Sequence, residues 1–151
     1  MPEKPRKIDH VSMAVHDLDA QIKLFRERYG MKVVGRWHSE HQEFKGATLA
    51  FEGGGMEFEF ISPTTETSFV ARFLEERGPG LHHITFEVDD TYRWADHLRA
   101  KGIKPFGGVR DEGGWRETFV HPRDSGGVLY QFYEEAEDHK HEHADHGHEE
   151  D

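Results

Sequence analysis

The sequence predicts an α+β fold of two βαβββ modules, related by a pseudo-two-fold axis and together forming a half-closed eight-stranded mixed sheet. Two observations carry this expectation. The first is an internal repeat: residues 10–17 read HVSMAVHD and residues 83–90 read HITFEVDD, an offset of 73. Both blocks run His, β-branched, hydroxyl, apolar, variable, Val, variable, Asp. Residues 29–35 (YGMKVVG) and 55–60 (GMEFEF) recur as 101–107 (KGIKPFG) and 127–132 (GVLYQF), each at an offset of 72. A period near 72 is too long for a solenoid repeat and suits two copies of a small module. The second is patterning that switches from period 2 to helical spacing at the same places in both copies.

Residues 8–15 alternate as a strand, with Val11, Met13 and Val15 on one face and His10, Ser12 and Ala14 on the other. Asp17 is a good N-cap for a helix over 18–29, where Leu18, Ile22, Phe25 and Tyr29 share one side, and Gly30 suits its end. Strands are expected over 31–37 and 44–52, then a glycine turn at 53–55, then a strand over 56–62. A linker over 63–79 holds a short helix, 68–77, with Phe69, Phe73 and Leu74 as its apolar side. The second module repeats the order: a strand at 81–88, a helix at 91–101 and strands at 104–107, 115–121 and 127–133. The division is therefore an N-terminal arm (1–7), one domain (module one 8–63, linker helix 64–79, module two 80–134) and a tail (135–151). The pattern does not give the order of strands in the sheet.

Of the net charge of −11, residues 134–151 supply −8 through nine acids and one Lys, leaving −3 for residues 1–133. The first 133 residues hold most of the large apolar side chains, enough for one core. The absence of cysteine excludes disulfides and thiolate metal sites. No apolar run approaches membrane-spanning length, and residues 1–9 lack the apolar stretch of a signal peptide. A cytoplasmic location is the expectation, with no membrane partner. The acidic balance argues against nucleic acid.

The repeat also pairs candidate ligands. His10 matches His83, and Glu59 matches Gln131. Two imidazoles, a carboxylate and a carboxamide form an N₂O₂ donor set with no thiolate. Such a set suits a divalent metal ion: Co, Ni, Mn, Fe or Zn. Glu59 stands between Phe58 and Phe60, where an unpaired carboxylate would be costly. At the double histidine the repeat selects His83, and alternation turns His82 to the opposite face. His16 and His97 lie at helix edges, His38 and His41 flank a loop, and His121 precedes a turn that invites a structural hydrogen bond.

The stretches IDHVSMAVHDLD, SFVARFLEERGPGLHHITFEVDD and HPRDSGGVLYQF resemble the vicinal oxygen chelate (VOC) superfamily. Within it, the likeness is to methylmalonyl-CoA epimerases and glyoxalase I-like proteins, over about residues 8–134. The resemblance implies the glyoxalase/VOC fold of paired βαβββ modules, usually dimeric, with metal ligands at His10, Glu59, His83 and Gln131. It also implies an epimerase, isomerase or lyase acting on a small molecule such as an acyl-CoA or other thioester by metal-stabilised enolisation. The chain departs from the family at Gln131, where these enzymes usually carry a glutamate that also serves as base. An amide takes no proton, so Glu59 is expected as base, with Glu43 or Glu57 as a second group. Two other readings stand beside this one. His10, His83 and Glu59 also make the 2-His-1-carboxylate set of non-haem Fe(II) dioxygenases, and the fold also serves non-catalytic small-molecule-binding proteins.

The tail carries five of the 13 histidines among acids. It is expected to be disordered, with loose metal binding as a second reading. Arg72, Arg77, Arg110 and Arg116 are candidates for phosphate contacts.

Overall fold

A computed structural model of the chain describes residues 3–135. The tail expectations therefore fall outside the described residues, apart from Glu135. The chain forms two compact units. One runs from His10 to His82. The other joins residues up to Asp9 with those from His83 onward. Among the described residues there are eight strands and three α-helices.

The unit from His10 to His82 contains most of β1 (Lys7–Ala14), then α1 (Leu18–Tyr29), β2 (Lys32–Ser39), β3 (Phe44–Ala50), β4 (Glu57–Pro63) and α2 (Phe69–Arg77). Its strands lie in the order β2-β3-β4-β1. Strands β2, β3 and β4 pair antiparallel, and β1 joins β4 in parallel. Helix α1 starts where Asp17 Oδ1 accepts the Ala20 N–H at 3.0 Å, and it ends at Gly30 in the left-handed region (φ 69°).

The pleat sorts β4 cleanly. Phe58 and Phe60 point toward α1. There Phe60 is buried with Leu18, Ile22, Met31, Ala47 and Leu49, and Phe25 meets both phenylalanines edge-on. Ile61 points the other way, into a cluster with Ala14, Val70 and Leu74 under α2. Period 2 then puts Glu57 and Glu59 on the α2 side of the sheet, along with His10 and Ser12 of β1. The α2 cluster covers the Ala14–Ile61 end of that face.

The second unit repeats this plan with β5 (Gly80–Glu87), α3 (Thr91–Ala100), β6 (Phe106–Asp111), β7 (Trp115–Val120) and β8 (Leu129–Glu135). The strand order is β5-β8-β7-β6, with β5 and β8 parallel and the rest antiparallel. Asp90 caps α3 by accepting the Arg93 N–H. Trp94 and Leu98 of α3 pack on Val88, Val120 and Phe132. Gln131, Thr85, His83 and Glu117 lie on the face away from α3. The N-terminal arm belongs to this unit: Arg6 donates its backbone N–H to the Glu87 carbonyl at 2.7 Å, and Glu3 pairs with Arg93.

Elements fall close to their expected places, apart from the last strand, two residues later than expected, and the strand before β7. The strand expected over 104–107 runs from Phe106 to Asp111. Gly107 and Gly108, with positive φ (79° and 70°), make a bulge that lets the strand continue past 107. The Gly108 carbonyl, freed from the ladder, accepts from Thr118 Oγ1. No helix among the described residues is long and apolar enough to cross a membrane.

Gly46 is where the first unit tolerates no side chain. It pairs with Trp37, and a Cβ added there would sit 2.5 Å from the indole and 2.9 Å from the Phe60 carbonyl. Gly46→Ala is therefore expected to lower stability by about 1–3 kcal/mol, read as the shift of the urea unfolding midpoint at unchanged m-value.

Candidate metal centre

Each unit carries half of the expected ligand set, built the same way. In the unit from His10 to His82, Ser12 is the register partner of Glu59 across the parallel β1–β4 pair. The Ser12 hydroxyl is fully buried and donates to Glu59 Oε1 at 2.6 Å. The second carboxylate oxygen, Oε2, faces His10 Nε2 at 3.7 Å. That is too long for a hydrogen bond. Two donors held ~2.1 Å from one ion are themselves roughly 3–3.5 Å apart, so the pair fits a shared cation with little adjustment.

In the other unit, Thr85 is the register partner of Gln131 across the parallel β5–β8 pair. The buried Thr85 hydroxyl donates to Gln131 Oε1 at 2.6 Å. Hydroxyl, ligand and strand pairing thus repeat at the 73- and 72-residue offsets. His83 stands two residues before Thr85, as His10 stands two before Ser12. The amide also meets a carboxylate. Its Nε2 donates to Glu117 Oε1 at 2.6 Å, and Glu117 Oε2 pairs with Arg110 at 3.2 Å. Glu117 carries no motif, and sequence reasoning did not single it out. It is only 6% exposed on a strand where Arg116 and Thr118 point the other way. A charged residue in strict alternation with β7's helix-facing residues was the signal available.

The structure gives Glu43 a different setting. It lies in the turn before β3 with φ 61°, and it accepts hydrogen bonds from Thr65 and Thr67, which hold its carboxyl below the usual carboxylate range. Phe44 pairs with Pro63, four residues beyond Glu59 on β4, so Glu43 and Glu59 are separated by roughly 13 Å of strand. Glu57 is nearer, as the register partner of His10 on the same face.

His82 packs edge-on against Phe69 and Phe73 of α2. Burial, with the Arg77 guanidinium adding, pushes it down to about 4. His121 Nδ1 accepts the Arg123 N–H and caps a short 3-10 turn (Pro122–Asp124). Three of the four candidate arginines have local partners: Arg77 lies over Phe73, Arg110 pairs with Glu117, and Arg116 pairs with Asp111 and Glu134.

The comparisons with known proteins agree with this architecture. Residues 9–119 match the family model for the Glyoxalase/Bleomycin resistance protein/Dioxygenase superfamily. The chain belongs to this superfamily. An ethylmalonyl-CoA/methylmalonyl-CoA epimerase of Cereibacter sphaeroides is 30% identical over 130 residues, covering 83% of this chain and 95% of that protein. A solved methylmalonyl-CoA epimerase in complex with methylmalonyl-CoA and NH4+ is 34% identical, with a TM-score of 0.79 over 89% of this chain and 97% of that one. The methylmalonyl-CoA epimerase from Mycobacterium tuberculosis superposes with a TM-score of 0.80 at 32% identity, over 89% of this chain and 91% of its own. The two βαβββ modules and eight strands of mixed sheet expected from the sequence are the fold of these neighbours.

Two outcomes follow from these side-chain settings. Between pH 6.5 and about 4, unfolded chains protonate at His82 while the folded protein does not. Stability from this group is thus complete above pH 6.5 and lost as pH falls through that window, by up to about 3 kcal/mol. Urea titrations of wild type and His82→Leu from about pH 7 to 4 should show the extra fall in wild type only. Glu43→Ala should lower the melting temperature by removing the partner of Thr65 and Thr67, while equilibrium dialysis finds Co²⁺ binding unchanged.

Proposed function

We propose that this protein is a divalent-metal-dependent epimerase of acyl-CoA or related thioester substrates, acting by enolisation beside the thioester carbonyl. The observation that carries the reading is the pair of matched half-sites, Ser12–Glu59 and Thr85–Gln131, each with a histidine two residues before the hydroxyl. His10, Glu59 and His83 are a group that could hold a metal ion, and the Gln131 carbonyl oxygen completes the proposed set. The donor chemistry suits the ion: imidazole nitrogens, one carboxylate and one amide oxygen, with no thiolate. The kinship with the methylmalonyl-CoA epimerases supplies the substrate class.

When bound, a divalent ion supplies Lewis acidity toward a carbonyl oxygen. The rest falls to the chain. Glu59 is the proposed proton acceptor: Ser12 donates to one of its oxygens, and the other, Oε2, faces His10 at 3.7 Å. Gln131 cannot exchange a proton, so its part is to bind and orient. Return of the proton to the opposite face of the substrate requires a second group, and Glu57, on the same face of the sheet as Glu59, is the sequence candidate best placed for it within that unit. A homodimer belongs to this reading by kinship, and light scattering on the purified chain tests it.

Methylmalonyl-CoA incubated in D2O with Co²⁺-loaded protein should lose its α-proton signal in the NMR spectrum. Chelation should abolish exchange, and Glu59→Ala should slow it by about 10²–10⁴-fold. Absence of α-exchange in the metal-loaded wild type, or oxygen uptake with an Fe²⁺-loaded sample and a catechol, would overturn the epimerase reading.

A further inference from the structure

The two half-sites differ at one point that their shared plan does not demand. Gly46 pairs with Ile61, two residues after Glu59. Glu117 pairs with Tyr133, two residues after Gln131. These are equivalent sheet positions in the two modules. Their cross-strand partners on the other side, Trp37 and Arg110, are equivalent as well. The first module places a side-chain-free residue there and lays an indole over it. The second places a buried carboxylate clamped by a guanidinium.

The chemistry of the two ligands accounts for the difference. A carboxylate has two equivalent oxygens, so either way round it offers oxygen to a cation. A carboxamide has two faces, and a half-turn about its last bond replaces the oxygen with an NH2 that cannot ligate. The Thr85 hydroxyl does not choose between them, because a hydroxyl both donates and accepts. An ionised carboxylate only accepts. Glu117 therefore takes Nε2 and leaves Oε1 to Thr85, and an amide oxygen carries two lone pairs. The half-turned amide would set its oxygen against the Glu117 carboxylate.

We infer that Glu117, held by Arg110, is a positioning residue that locks the Gln131 amide with its oxygen turned to the proposed metal. The inference rests on the metal reading above and deepens it: the module that carries an amide ligand also carries the acceptor that orients it. The module with a carboxylate ligand places Gly46 at the equivalent position.

Co²⁺ binding to the full chain tests this without any enzyme assay. Dissociation constants come from chelator competition. The Co²⁺ visible spectrum reports the ligand field, and a His10→Ala/His83→Ala chain measures the background bound by the tail histidines. Glu117→Ala should weaken Co²⁺ binding by about 10–100-fold, the usual effect of losing a group that orients a ligand, and should change the spectrum. In a Gln131→Glu chain, whose carboxylate needs no orienting and faces like charge from Glu117, the same Glu117→Ala change should cause no loss of affinity. Equal losses in both chains would show a merely structural role and overturn the inference, as would no loss in the Gln131 chain. If Glu117→Ala does not fold, Glu117→Gln serves in the same two chains. Its amide can donate to the carboxylate of the Gln131→Glu chain, so affinity should hold there and fall only beside Gln131; the reverse order overturns the inference. A wild-type chain that binds Co²⁺ no better than the tail-background chain overturns both this inference and the metal reading. Tight wild-type binding with no sensitivity to Glu117 overturns this inference alone.

Discussion

In each unit the hydrogen bond from a buried hydroxyl to a candidate ligand side chain on a parallel neighbour strand fixes the candidate half-site. Ser12 to Glu59 and Thr85 to Gln131 are both 2.6 Å, and in both the residues are register partners. A one-residue slip of either strand would carry the ligand to the helix side of the sheet. The packing of α1 on Phe60 and of α3 on Phe132 opposes that slip, since it would expose the phenylalanine and bury the ligand. The apolar face and the polar face of each sheet are thus two results of one register. Burying Glu59 and Gln131 is tolerated because the same register supplies each with a donor.

On this shared frame the modules diverge by single residues. A carboxylate sits in the first and an amide in the second. Trp37 over Gly46 fills the place that Arg110 and Glu117 take in the second. These are coupled choices, because an amide beside Glu117 is a donor meeting an acceptor, whereas a carboxylate there would face like charge across 2.6 Å. The choice of an amide at position 131 therefore reaches beyond that side chain itself.

The repeat makes much of this legible in the letters of the chain. Equal spacing of His10 and His83, and of Glu59 and Gln131, follows directly from them, as does the choice of His83 over His82. Alternation sets His82 and His83 on opposite faces of their strand, but the contact of His82 with Phe69 and Phe73 belongs to the fold. The placing of β6 was less legible, because Gly107 and Gly108 serve equally for a turn or a bulge, and only pairing with β7 decides between them. Glu43 had the right chemistry but stands in a turn, with Thr65 and Thr67 as partners some twenty residues away.

Local period and repetition are properties of the chain itself. From them come the number and type of elements, the face on which most side chains stand, and the pairing of the candidate ligand positions. Which strands become neighbours, and in what register, belongs to the folded molecule. Those relations join residues far apart in the chain, such as Ser12 with Glu59 at a separation of 47 and Gln131 with Glu117 at 14. No spacing rule reaches across a loop of variable length, so Glu117 became visible only once β7 and β8 were set side by side.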